Sequence, residues 1–361
     1  MSWEPLVILI LVLACGGLLA WGLTLSRRPP QIRYVDRAVE VRTRVEVPQR
    51  VEVPVVRYVD REVRVPVPAA VEPDHPLDGR EYLGEPNSLP DLPDAVPDSV
   101  ADGARLGGVV VRAASVRGET SRQHADLRRQ TMAIALLRRF DPPVLVSAIA
   151  AGHRTASRSQ VGAAQVCRSV QTKLTDRARG IDTAWQALDR GEEGAAAELT
   201  ELFREIAVAL NDSLSLAAKG RNQPVAELST ELTCVMSRLG DMAQRPHLAF
   251  GVGAGPVLRL RAGGIDEVFN PGTAGAFLPG SEDRVGWTAF ATAPHDVLVA
   301  CSATTADFLR RDEVAAQTLA KWSGGDRPST VAFLAQLSTA HQAYWDDRTA
   351  VGVWDGRTDG R

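Results

Sequence analysis

Residues 144–163 read Val-Leu-Val-Ser-Ala-Ile-Ala-Ala-Gly-His-Arg-Thr-Ala-Ser-Arg-Ser-Gln-Val-Gly-Ala. The stretch follows Pro142-Pro143 and opens as an apolar run of the length and composition of a buried strand. Gly152 is expected to supply a tight turn. Thr155, Ser157 and Ser159 offer N-caps for a helix continuing through Ala164, Val166 and Val170. In such a strand–glycine–helix transition, the residue just before the glycine is a usual place for a metal or phosphate ligand. Here that residue is Ala151.

Working outward, the 361 residues can hold one large domain or two small ones. A formal net charge of −3 gives no sign of a nucleic-acid partner. The bases are almost all arginine, Lys173, Lys219 and Lys321 being the lysines, which reads as a compositional bias of the genome. Cys15, Cys167, Cys234 and Cys301 form no CxxC or Cys/His cluster, which argues against a zinc site. They read as small core residues in a reducing compartment.

Pro5 to Leu25 is an uncharged run that as a helix spans roughly 30 Å, enough for a bilayer core. Trp3 and Trp21 sit near its ends, and Arg27-Arg28 follow it. The positive-inside rule then puts the N-terminus outside and the rest in the cytoplasm. A cleaved signal peptide is the alternative, Val12-Leu13-Ala14-Cys15-Gly16 looking like a lipobox. Against it stand the missing basic n-region and the apolar residues that continue past Cys15. Residues 1–28 are thus expected to be a single-pass membrane anchor.

Residues 29–70 form a stalk with internal repeats: Arg-Tyr-Val-Asp-Arg at 33–37 and 57–61, Val-Glu-Val-Pro at 45–48 and 51–54. Valine alternates with charge, the period of extended chain, while Pro48, Pro54, Pro66 and Pro68 remove ladder donors. A solvated, semi-rigid spacer is the favoured reading, with self-association through residues 31–68 as the alternative. Residues 71–107, rich in proline and acid, read as a linker. The texture becomes globular over 108–356, leaving 357–361 as a tail.

Within it strands are expected at Gly108–Ala114, His247–Val252, Val257–Ala262, Trp287–Ala291, His295–Cys301 and Thr349–Trp354. Helices are expected at Gln165–Thr175, Ile181–Leu188, Ala195–Ala218, Ala306–Trp322 and Thr330–Leu337. Strands at both ends with helices between indicate an α+β class.

The opening stretch resembles the bacterial branch of the protein phosphatase 2C family, the metal-dependent serine/threonine phosphatases, which there reads roughly Val-Ala-Asp-Gly-x-Gly-Ser-Ala-x-Arg-Ser-x-x-Gly-Ala. Ile149, Ala150, Gly152, Ala156, Arg158, Ser159, Gly162 and Ala163 match. Further similarities follow in order over Val109 to Trp354. Ala114-Ser115-Val116-Arg117-Gly118 looks like the opening strand motif. Gln130-Thr131 falls on a Gln-Asp pair, and the 249–255 segment falls on a Val-Gly-Asp-Gly hairpin with Ala254 for the aspartate. Val299 to Leu309 resembles Ala-Thr-Asp-Gly-Val-x-Asp-Phe-Leu, with Asp307, Phe308 and Leu309 matching. Asp346-Asp347-Arg348-Thr349 is similar to Asp-Asp/Asn-x-Thr.

The resemblance implies two packed antiparallel sheets flanked by helices, preceded by the transmembrane helix. It also implies a degenerate site. The family's catalytic aspartates fall on Thr131, Ala151 and Ala303, Gly152 keeps its glycine, and Arg154 stands at a second glycine. Asp346 is left as the residual metal-ligand position. One carboxylate leaves two dications uncompensated, so no cofactor is expected. The implied protein is a catalytically inactive, membrane-anchored binding or regulatory module for a protein or phosphoprotein, without nucleic acid. His153, Arg154 and Arg158 are the anion or phosphopeptide candidates, with surface filling as the plainer reading. Two alternatives stay open: a divergent Mg- or Mn-dependent phosphatase with Asp126, Asp307, Asp346 or Asp347 as relocated ligands, and a structural protein assembled by the repeat.

Overall fold

A computed structural model of the chain describes residues 96–261, 264–340 and 345–355. The anchor expected at 5–25, the repeat, most of the linker and the tail lie outside the described residues. No helix among the described residues is long and apolar enough to cross a membrane.

The chain opens with two strands, β1 (Ser99–Leu106) and β2 (Val109–Val116), and a short helix α1 (Glu119–Gln123). Strands β3 (Gln130–Leu137) and β4 (Val144–Gly152) precede helices α2 (Ser159–Asp176), α3 (Ala178–Asp189) and α4 (Ala195–Gly220). Five strands follow: β5 (Thr230–Arg238), β6 (Arg245–Val252), β7 (Val257–Arg261), β8 (Gly264–Phe269) and β9 (Gly286–Thr292). After β10 (Val297–Cys301) come helices α5 (Ala303–Arg311), α6 (Glu313–Ser323) and α7 (Thr330–Leu337), then β11 (Arg348–Asp355). One sheet has the order β1-β2-β11-β10-β7-β8 and the other β3-β4-β5-β6-β9. Every pairing is antiparallel.

Three apolar layers hold this arrangement. Between the sheets lie Val111, Leu145, Ile149, Val235, Ala249, Leu298 and Val351. Outside the five-stranded sheet, α2, α3 and α4 contribute Val166, Val170, Leu174, Trp185, Phe203 and Leu210. Outside the other, Phe308, Trp322, Phe333 and Trp354 pack together. β4 explains its own unbroken apolar run: the pleat sends Val144, Val146, Ala148 and Ala150 to the helices and Leu145 and Ile149 to the opposite sheet. A strand buried on both faces has no polar side to alternate with.

Several expectations are corrected. Gly152 makes no left-handed turn; it ends β4. Glycine is needed there because a Cβ would lie 2.6 Å from the Ser159 Cβ and 2.8 Å from the Arg129 carbonyl oxygen. The turn falls after it, with Arg158 at the N-cap and no side-chain cap, since Ser159 is already helical and buried. The segment read as linker supplies β1, paired along its whole length with β2. The helix expected at Ala306–Trp322 is two helices, broken where Asp312 adopts extended backbone and caps α6, its Oδ1 accepting the Ala315 N–H at 2.7 Å. The 251–255 glycine segment is no hairpin, because β6 and β7 belong to different sheets.

His247 on β6 is buried, with Nδ1 2.8 Å from Ser237 Oγ and Nε2 2.8 Å from Thr292 Oγ1. Burial, helped by repulsion from Arg245, lowers its pKa from 6.5 to about 3. Between those values the unfolded chain binds a proton that the folded chain refuses. Stability from this group is therefore full above pH 6.5 and lost as pH falls towards 3, by up to about 1.4 kcal/mol per pH unit. Denaturant unfolding followed from about pH 7 down to 5 should show this slope, and His247→Gln should flatten it.

Candidate functional site

A cleft of about 310 Å³ opens at the end of the sandwich where β4 and β10 finish and β3, β5 and β11 begin. Strand pleat decides which side chains enter it. On β3, Met132 and Ile134 face the opposite sheet while Ala133 and Ala135 face the helices. By the same parity Gln130 points into the cleft and Thr131 towards α2, where its carbonyl accepts the Cys167 thiol at 3.6 Å. Gln130 pairs with Ala151 on β4, and Ala151 pairs with Glu231 on β5. These three form one row across the cleft floor.

Asp347 is the buried anchor of the site, 6 % exposed. Its Oδ1 accepts the Gly118 N–H at 2.8 Å and its Oδ2 the Arg129 N–H at 2.6 Å, with Ser121 Oγ at 3.4 Å. Desolvation pushes its pKa up, against the two backbone N–H groups and the charge of Arg128. Gly118 must be glycine here, because a Cβ would stand 2.2 Å from the Asp346 carbonyl carbon. The Asp347 carbonyl accepts Thr304 Oγ1 at 2.8 Å and Gln130 Nε2 at 3.0 Å. Beneath this, Ser115 and Thr349 hydroxyls meet at 2.6 Å, and Arg128 donates to Ser115 Oγ at 2.6 Å. A polar network thus ties β2, β3, β11 and the start of α5 together.

The rim is ionic. Arg154 pairs with Asp346 at 2.5 Å, and Arg129 with Asp126 at 3.3 Å. Arg129 also donates to the Arg154 carbonyl. His153 packs its ring on Phe277, centroids 4.2 Å apart, with Nδ1 3.1 Å from Thr155 Oγ1. Glu231 lies inside, its pKa raised by burial and opposed by the Ala254 N–H.

Of the residues singled out from sequence, Ala151, Gly152, His153, Arg154, Ala303, Asp126, Asp346 and Asp347 all line the cleft. Thr131 does not, by strand parity; Gln130 takes that place. Arg158 is not among the lining residues, because it starts α2. Asp307 is also displaced, sitting half-exposed on α5 with Arg311 3.7 Å away. Asp347 is buried and bonded to the Gly118 and Arg129 backbone N–H groups rather than solvated. Sequence reading passed over Glu231 and Arg129. Glu231 is directly opposite Ala151, a relation visible only once β5 is recognised as the neighbouring strand.

An antiparallel two-sheet sandwich with helices on both outer faces and a cleft at its strand ends defines the class of domain. Residues 120–279 match the family model for protein phosphatase 2C. The domain is protein phosphatase 2C-like. Among solved structures, a bacterial serine phosphatase is similar at 12 % identity and TM-score 0.44, over 69 % of this chain and 98 % of that one. The Mycobacterium tuberculosis serine/threonine phosphatase PstP/Ppp is similar at 13 % identity and TM-score 0.42, over 69 % and 99 %. The phosphatase domain and regulatory fragment of SpoIIE from Bacillus subtilis is similar at 17 % identity and TM-score 0.43, over 69 % and 64 %. No curated protein matches the chain.

The family is metal-dependent, so the donor set of the cleft can be tested against a pair of dications. Ala151 and Ala303 offer no donor. The carboxylates that remain are engaged elsewhere: Asp126 and Asp346 with guanidiniums, Asp347 with backbone N–H groups, Glu231 with the Ala254 N–H. Among the described residues no three His, Cys, Asp or Glu converge closely enough to hold a metal ion. The residues present do not fit a binuclear centre.

Asp347→Asn replaces one acceptor oxygen by a donor facing a backbone N–H. It should lower unfolding stability by about 1–3 kcal/mol, read from denaturant midpoints at constant slope.

Proposed function

We propose that the chain is a catalytically inactive protein phosphatase 2C-like module that binds a protein partner. The single observation that carries this is the Arg154–Asp346 pair above Ala151 and Ala303. Where the resemblance places a glycine and a metal, this chain puts a tethered guanidinium on the residual carboxylate. A monovalent charge fixed to the backbone neutralises Asp346 but activates no water and clamps no phosphoryl group. The pair is largely exposed, so its role is occupancy of the ligand position rather than stability.

The relocated-ligand reading loses Asp307 to the outside of the cleft and Asp347 to the backbone. The phosphoprotein form of the binding reading loses support too, since Arg154 already has its anion, Arg158 lies outside the lining and His153 is packed on Phe277. The apolar run at 5–25 supports a membrane-anchored placement with the domain on the cytoplasmic side. The valine–proline repeat supports a spacer between them.

The test is turnover by the full chain on phosphopeptides and an aryl phosphate with excess Mn²⁺, beside Asp346→Ala. Rates equal to that variant's background are expected. Metal-dependent turnover that Asp346→Ala abolishes would overturn the proposal.

A further inference from the structure

The two sheets are unequal, six strands against five. On one side of the sandwich β8 meets β9; on the other, β3 packs against β2 and β11. β1 therefore extends past β3, with no strand opposite it among the described residues. Ala104 and Leu106 of β1 face the inter-sheet core across this step and stay partly exposed.

The edge of β3 that borders the step carries none of the usual protection. Gln130 to Leu137 reads Gln-Thr-Met-Ala-Ile-Ala-Leu-Leu, without charge, proline or glycine. The edges of the other sheet do carry it: Asp102 and Arg105 on β1, Asp266 and Glu267 on β8. Hydrogen-bond parity identifies the open groups. The Gly152 N–H donates to the Arg129 carbonyl at 2.9 Å, so Thr131, Ala133 and Ala135 also direct their main-chain groups to β4. Gln130, Met132, Ile134 and Leu136 direct theirs the other way. Arg128 and Ser115 Oγ meet the Gln130 carbonyl, and the next three residues border the step. Met132, Ile134 and Leu136 are also partly exposed on the inter-sheet face. Pairing β3 with the β3 of a second copy is blocked. Antiparallel pairing puts both six-stranded sheets on one side, where each overhanging β1 would collide with the other copy's β2. The step has room for one lone strand.

We infer that the β3 edge is a docking site for the Val39–Val47 segment of this chain, added as a sixth strand. That segment reads Val-Glu-Val-Arg-Thr-Arg-Val-Glu-Val. Val39, Val41, Thr43, Val45 and Val47 share one face, and every charge lies on the other. The uncharged face suits Ala104, Leu106, Met132, Ile134 and Leu136, while the glutamates and arginines stay in water. Its length matches the eight residues of β3, and the first proline comes after it, at 48. In the other long proline-free run, 55–65, Arg57 and Arg61 interrupt the valine face. The chain also leaves the described residues at the right place: the Pro97 carbonyl accepts Arg128 Nε at 3.1 Å, beside the start of β3. Residues 48–95 as a flexible connection reach roughly 35–40 Å, beyond the roughly 26 Å length of an eight-residue strand. The proline-bearing stretch 48–68 keeps its role as spacer.

The experiment is amide hydrogen exchange of the full chain, resolved residue by residue by NMR. The Met132, Ile134 and Leu136 amides should be protected, as the β4-bonded Thr131, Ala133 and Ala135 amides are. Thr43→Pro removes a ladder donor from the middle of the added strand. It should speed exchange at Met132, Ile134 and Leu136 about tenfold or more while leaving the other three unchanged. Val41→Lys combined with Val45→Lys, which charges the apolar face, should do the same. Both changes lie outside the folded domain, so its thermal unfolding serves as the control for intact folding. Fast exchange at the three amides in the unmodified chain would overturn the inference, as would protection that survives both variants. Protection that survives them but falls on dilution would place a second copy on the edge instead.

Discussion

The open end of the sandwich depends on one buried carboxylate. Asp347 accepts the backbone N–H groups of Gly118 and Arg129, which come from the exits of β2 and the approach to β3. Those strands lie in different sheets, so the carboxylate and the carbonyl beside it join the two layers where the inter-sheet core has run out. Hydrophobic packing is non-directional and can press two sheets together without fixing how their ends align. Directional bonds to a desolvated anion fix that alignment, and the absence of a Cβ at Gly118 lets the chain approach closely enough to make them. Every distance in the cleft is measured from this clamp.

Given that frame, the chemistry of the cleft follows from what the strands project into it. Divalent ions need several anionic oxygens converging on one point. Here the floor offers an amide, one methyl group and one carboxylate spaced along a row, and the rim cancels its own charges in pairs. On the proposed reading, a frame of this kind serves recognition through its concave surface rather than bond cleavage.

Much of the architecture was legible in the chain. The both-face burial of β4, the long α4 and the α7 boundaries leave periodic or apolar signals that do not need a partner to be read. Other elements were not. β1 is half-exposed and sits in a proline- and acid-rich stretch, so its strand character comes from eight residues of pairing with β2 rather than from pattern. β5 opens with Thr-Glu-Leu-Thr and alternates only against a core supplied by α2 and β4. The break at Asp312 was hidden because apolar helical spacing continues on both sides of it, and only the cap geometry reveals two helices.

The sequence by itself determined that alanine stands at 151 and 303, aspartate at 346 and 347, and arginine at 154. These are identities, and no folding can change which groups a residue carries. Tertiary structure decided which of the surviving groups meet. It turned Thr131 away and Gln130 inward, because side chains alternate along a strand and one residue of register exchanges the two faces. It brought Glu231 beside Ala151 from eighty residues downstream, and it spent Asp347 on backbone N–H groups. Pairing across strands depends on register between distant segments, and a linear reading carries no information on that until the sheet order is known.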